Sequence, residues 1–108
     1  MPQITVHMLV QNEDQFIWYA INSVLPLVDR FLITDNGSTD ETISIIESIS
    51  SPKIQLTKLP PTDRPGLVAR RQDQLSQTTA DWILLVDGDE IWPEKNLNHL
   101  VSFMNKSS

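Results

Sequence analysis

Apolar and polar positions along this chain alternate between two rhythms. Ile4 to Val10 is a run of β-branched and apolar residues, which predicts a strand ending at Gln11-Asn12. Phe16, Ile17, Ala20, Ile21 and Val24 then recur at helical spacing and form one stripe, with Pro26 marking its end. Asn12 is placed to cap that helix, with Gln15 three positions on as its reciprocal partner. Phe31-Leu32-Ile33-Thr34 predicts a second strand that stops at Asp35. The stretch "DNGSTDETISII" reads as a strand–turn–helix junction, with turn freedom at Gly37 and a Ser38–Glu41 capping box. Ile46 and Ile49, helped by Ile43 or Ile45, would face a core, and Ser51-Pro52 would close the helix. Ile54 and Leu56 alternate with polar neighbours, as in a strand nearer the sheet edge. Three prolines between Leu59 and Pro65 mark a loop, and Leu67 to Gln77 reads as a weakly amphipathic helix. Trp82 to Val86 predicts a strand buried on both faces, and Pro93 would open a last helix through Leu97, Leu100, Val101 and Met104.

The order is β-α-β-α-β-α-β-α, a single α/β domain over residues 1–108 with no linker and no internal repeat. Strands alternating with helices imply a mostly parallel sheet, right-handed crossovers and helices on both faces. With 40% apolar and 20% charged residues, the chain can bury a core and is not a disordered segment. It has no cysteine, so disulfides and thiolate metal sites are excluded, and a reducing compartment suits it. No signal peptide is read before the first strand, and no apolar run approaches the roughly 20 residues of a membrane span. The expectation is a cytoplasmic protein. A net charge of −6 argues against nucleic acid and anionic membranes as partners. Arg64, Arg70 and Arg71 nevertheless lie together between acidic stretches, so a small anionic ligand could be held locally.

Ligands of open α/β sheets bind at the carboxyl ends of the strands. The polar clusters expected there are Gln11-Asn12-Glu13-Asp14, Asp35-Asn36, the loop before Arg70, and Asp87-Gly88-Asp89. Polar residues at strand ends are ordinary, and Glu13-Asp14 alone reads as a solvated loop. Asp87 and Asp89 differ, because two close carboxylates repel unless solvent, a base or a bound cation compensates. Oxygen ligands in such a pair suit Mg²⁺ or Mn²⁺.

Four stretches together carry a family resemblance: "ITVHMLVQNED", "DNGSTDET", "GLVARRQDQ" and "ADWILLVDGDEIWPE" with its D-x-D. In this order and at roughly this spacing they resemble the N-terminal, donor-binding portion of a family 2 glycosyltransferase of the GT-A fold. The resemblance implies a metal-dependent transferase that binds a nucleotide-diphosphate sugar and passes the sugar to an acceptor the sequence does not name. It implies that Val10 to Asn12 pass beside the nucleoside and that Asp35 accepts a hydrogen bond from the base or ribose. As a polar residue at a strand end, Asp35 is expected to add little packing. Arg70 falls where the family places an Arg near the donor, Asp87 would contact the ribose or the metal, and Asp89 would ligate the metal. Arg71 stands where the family commonly has Asn. The family's acceptor site and catalytic base lie beyond the D-x-D strand, so the chain is expected to bind a donor without transferring the sugar. An uncovered sheet edge and an apolar patch near Leu97, Leu100 and Phe103 carry the further expectation of self-association.

Two alternatives use the same residues. A haloacid-dehalogenase-type phosphatase also ends an apolar strand in D-x-D, but it follows with Thr or Val where this chain has Ile91, and it needs further acids downstream. A non-catalytic nucleotide-binding module is the other. His7 and His99 read as packing or surface residues, and Trp18, Trp82 and Trp92 as core or rim. There is no P-loop, G-x-G-x-x-G or nucleophile elbow.

Overall fold

A computed structural model of the chain describes residues 3–86. The final helix expected after Pro93, the D-x-D pair Asp87 and Asp89, Trp92, His99 and the apolar patch at Leu97, Leu100 and Phe103 lie outside the described residues. Within them the order is β1 (Ile4–Val10), α1 (Ile17–Val24), a short 3₁₀ turn (Leu25–Leu27), β2 (Arg30–Asn36), α2 (Thr42–Ser48), β3 (Ile54–Leu59), α3 (Arg64–Ser76) and β4 (Trp82–Leu85). The four strands form one parallel sheet in the order β3-β2-β1-β4. The chain therefore lays β2 and β3 to one side of β1 and then crosses back to put β4 on the other. The sequence order of alternating strands and helices anticipates this sheet.

The two faces of the sheet differ in chemistry, and the period of two along each strand is the reason. Ile4, Val6, Met8 and Val10 of β1 join Phe31 and Ile33 of β2 on one face. There they pack against Ile17, Ala20, Ile21 and Val24 of α1, and Ile46 of α2. Phe31, Met8, Ile17 and Ile21 are fully buried, and burying each such side chain stabilises by about 1.5–3 kcal/mol. On the opposite face Thr5, His7 and Thr34 are buried polar residues. The helix on that face, α3, meets them with Gln74, its single fully buried residue. Gln74 Nε2 donates to the carbonyls of Met8 (2.9 Å) and Leu32 (3.4 Å) and to Thr34 Oγ1 (3.1 Å). A weakly amphipathic helix is what a polar sheet face requires.

Several local expectations are corrected. Phe16 is not part of the buried stripe. It precedes α1 and is exposed, because the amides of Phe16 and Ile17 both turn back to the Glu13 carbonyl before the helix begins. Asn12 does not cap α1; it adopts φ +54 and turns its side chain to another loop. The Ser38–Glu41 capping box does not form, since α2 starts at Thr42 and Ser38 bonds Asp35 instead. α2 ends at Ser48, before the Ser51-Pro52 pair. β4 is not buried on both faces. Leu84 packs into the core, but Ile83 and Leu85 are 38% and 61% exposed, because the described elements cover only the α1 side of this strand.

Candidate functional site

β1 and β2 end side by side, with Val10 in register with Asp35. The two loops that follow them are sewn together by side chains. The Asn12 amide donates to Ser38 Oγ at 2.9 Å, and Asn12 Oδ1 accepts from the Thr39 amide at 2.8 Å. The Glu13 amide donates to Thr42 Oγ1 at 2.9 Å, and that hydroxyl donates onward to Asp40 Oδ1 at 2.6 Å. Burial pushes the Asp40 carboxyl up, but bonds from the Thr42 hydroxyl and amide and from Asp14 outweigh it and leave its pKa below the ordinary value.

Asp35 sits inside this junction with no exposed surface. Its Oδ1 accepts from the amides of Gly37 (3.0 Å) and Ser38 (2.8 Å), and its Oδ2 accepts from Ser38 Oγ (2.6 Å). The expectation that it adds little packing is therefore corrected: the carboxylate closes a tight turn from within. Gly37 at φ +80 completes that turn, and a Cβ there would lie 2.3 Å from the Pro61 ring, so the proline loop seats directly on it.

The neighbouring Asn36 faces the cleft that this junction frames. Its Nδ2 donates to Gln11 Oε1 at 3.0 Å, and its Oδ1 accepts from Arg70 Nη1 on α3. A cleft of about 200 Å³ lies here, lined by Leu9, Val10, Gln11, Asn36, Leu67 and Arg71. Apolar walls with a few fixed amide groups suit a flat, polar-edged ring. A larger groove of about 310 Å³ runs along the outer edge between α2 and β3, walled by Ile46, Ile49, Ile54 and Leu56 and crossed by the exposed Lys58–Glu47 pair at 3.2 Å. It carries none of the residues singled out for chemistry, and an exposed pair of this kind contributes under about 1 kcal/mol.

Beneath the cleft, His7 Nε2 lies 2.6 Å from Thr78 Oγ1. The Thr78 hydroxyl donates to the Gln74 carbonyl at 2.8 Å, so His7 is the donor in this contact. Burial, with the charges of Arg30 and Arg71 nearby, pulls the His7 pKa below its ordinary value.

Of the residues expected at a donor site, Val10 lines the cleft and Arg70 reaches it through Asn36. Asn12 joins the two loops, and Asp35 braces the turn behind. Asp87 and Asp89 follow directly in sequence from Val86, whose amide bonds the His7 carbonyl at 3.2 Å. Among the described residues no group of three or more His, Cys, Asp or Glu could hold a metal ion. Sequence reasoning missed Gln74, whose only signal was an uncharged polar residue four positions after Arg70.

Comparison with known proteins follows the same outline. The family model for glycosyl transferase family 2 matches residues 5–108. An uncharacterized glycosyltransferase of Rickettsia typhi is 32% identical over 90 residues, which are 83% of this chain and 29% of that protein. Glucosyl-3-phosphoglycerate synthase of Mycolicibacterium smegmatis is 31% identical over 99 residues, covering 84% of this chain and 32% of its own length. The chain thus spans less than a third of these relatives. Among solved structures, S. aureus TarS 1-349 superposes with a TM-score of 0.79 at 22% identity, over 96% of this chain and 32% of that one, and supports the fold. Mycobacterium tuberculosis glucosyl-3-phosphoglycerate synthase, in complex with Mn²⁺ and UDP-glucose, superposes with a TM-score of 0.62 at 29% identity, over 85% of this chain and 35% of that one. The parallel sheet is the GT-A arrangement of these glycosyltransferases.

Proposed function

The chain belongs to glycosyl transferase family 2, and from that premise we propose that it is the donor-binding part of a metal-dependent glycosyltransferase. Its ligand is a nucleotide-diphosphate sugar. The observation that carries this reading is the cleft at the carboxyl ends of β1 and β2, with Asn36 held between Gln11 and Arg70. Its volume suits a nucleobase and part of a ribose, so the diphosphate extends toward the crevice between β1 and β4. That crevice is the switch point where the strand order reverses, the usual ligand position in open sheets.

Val10 and Asn12 border the nucleoside, and Asp35 shapes the turn that presents Asn36 to it. Arg70 fixes the Asn36 amide from the opposite side. Asp87 and Asp89 offer two carboxylates across a glycine, a donor set of hard oxygens that fits Mn²⁺ or Mg²⁺. The relative crystallised with Mn²⁺ and UDP-glucose supports this choice of ion. A divalent cation there would balance the negative charge that builds on the leaving diphosphate.

Calorimetry with UDP and with GDP, each with and without Mn²⁺, tests the reading. Nucleoside diphosphate should bind more tightly with Mn²⁺, and Asp89→Ala should remove the metal dependence more completely than Asp87→Ala. Equal affinity with and without the metal would overturn the assignment.

A further inference from the structure

We infer that the outer edge of β3 is a surface where two copies of this chain pair, strand to antiparallel strand, across a two-fold axis at Leu56. Among the described residues β3 ends the sheet, with β2 on one side of it and no strand on the other. The Phe31 amide donates to the Lys53 carbonyl at 2.9 Å, while Phe31 stands in register with Ile54. In a parallel ladder this turns the backbone groups of Gln55 and Thr57 inward to β2 and those of Leu56 and Lys58 outward. An open edge is a template for another strand, and proteins commonly guard it with lysine. β3 has a lysine near each end, but both are drawn away: Lys53 Nζ donates to the Leu25 carbonyl at 3.2 Å, and Lys58 Nζ to Glu47 Oε2 at 3.2 Å. Beside the edge lies the groove walled by Ile46, Ile49, Ile54 and Leu56, the last two only half-buried. None of these residues lines the donor cleft.

Charge selects a second copy as the occupant. The chain carries −6 overall, and Glu13, Asp14, Asp40 and Glu41 crowd the loops after β1 and β2, so those loops repel another copy. The β3 edge instead sets Lys53 and Lys58 against Glu47, and two copies can meet there without that repulsion. Pairing centred on Leu56 places Leu56 against its own equivalent, Ile54 opposite the second copy's Lys58, and Lys53 opposite the second copy's Leu59. No lysine then faces a lysine, which would destabilise the pair. The two grooves join into one apolar channel between the two α2 helices, so the contact is isologous and closes at two copies. A six-residue strand and one groove per copy lie at the small end of specific interfaces, near about 1,000 Å² in total, so the dimer is weak.

Sedimentation velocity and amide hydrogen exchange on the 108-residue chain, from about 20 μM to about 1 mM, test the pairing. The dimer fraction should rise with concentration, and exchange at Leu56 and Lys58 should slow with it, by about twofold when half the chains are paired. Added salt should strengthen association, because it screens the net charge of the two copies. Glu47→Lys makes the chain less acidic, yet it frees Lys58 and adds a second cation at the edge, so it should abolish the dimer. Glu41→Lys, the same change of charge away from the edge, should leave the dimer as strong or stronger. Lys58→Pro, which removes an outward amide and suits an edge strand, should abolish pairing while α1 keeps its exchange protection. A chain that stays monomeric to about 1 mM would overturn the inference and leave the edge to a strand of another protein. A dimer in which Leu56 and Lys58 exchange as fast as in dilute solution, or one that survives both Glu47→Lys and Lys58→Pro, would overturn it by placing the contact on another surface.

Discussion

Asp35 shows how much one side chain can be committed to its own backbone. A carboxylate at the end of a strand invites a role toward ligand, yet both oxygens are occupied by Gly37 and Ser38. Removing it leaves two amides in a buried turn without acceptors, which costs about 1–3 kcal/mol. Asp35→Ala should lower the urea midpoint accordingly, and Asp35→Asn should lower it less, because one acceptor oxygen remains. Nucleotide binding should weaken in parallel, since the same turn carries Asn36. An unchanged unfolding midpoint in Asp35→Ala would contradict this account. The sequence made Asp35 visible as a site residue, but which of its neighbours claims the carboxylate depends on φ and ψ at Gly37, and those are set by the turn itself.

At the scale of elements, α1 and α3 are held to the sheet by different means. α1 docks through an apolar stripe, and its position was legible from periodicity alone. α3 docks through the Gln74 amide and the Thr78 hydroxyl, a scheme with no periodic signature. Gln74 Oε1 is buried without a partner among the described residues, so the anchoring rests on the nitrogen side of the amide. Gln74→Ala should destabilise the fold by about 2 kcal/mol through the lost donors and the space left behind. Hydrogen exchange would locate the damage: amides of α3 should exchange faster while those of α1 keep their protection. Uniform loss across both helices would mean that Gln74 is ordinary packing and no anchor for the arginines above it.

For the whole molecule, the polar layer under α3 sets a pH limit. His7 sits among Thr78, Arg30 and Arg71, with burial and both positive charges opposing its protonation. Its folded pKa lies below the ordinary 6.5, so below that pH the unfolded chain takes up the proton first. Stability is then full above about pH 6.5 and is lost as the pH falls through that value toward the folded pKa. Thermal unfolding between about pH 7.5 and about pH 5.5 should show a falling Tm, flattened in His7→Gln. Asp40 contributes in another window: its depressed carboxyl stabilises above its ordinary 3.8 and fails only as the pH drops below that. A wild-type Tm that is constant down to pH 5.5 would mean that the layer accommodates the charge.

The sequence by itself determined the alternation of elements, the parallel sheet, the apolar stripe of α1 and, through its four motifs, the family. All of these follow from period, composition and local motif, which act over a few residues at a time. Tertiary structure decided the rest. Asn12 reaches Thr39 and Arg70 reaches Asn36 across separations of 27 and 34 residues. At such distances a capping box and a loop-to-loop bond look identical in the sequence, and only the closing of the sheet selects between them. The positions of Arg70 and Arg71 separate for the same reason: once α3 lies across the ends of β1 and β2, Arg70 engages Asn36 and Arg71 lines the cleft.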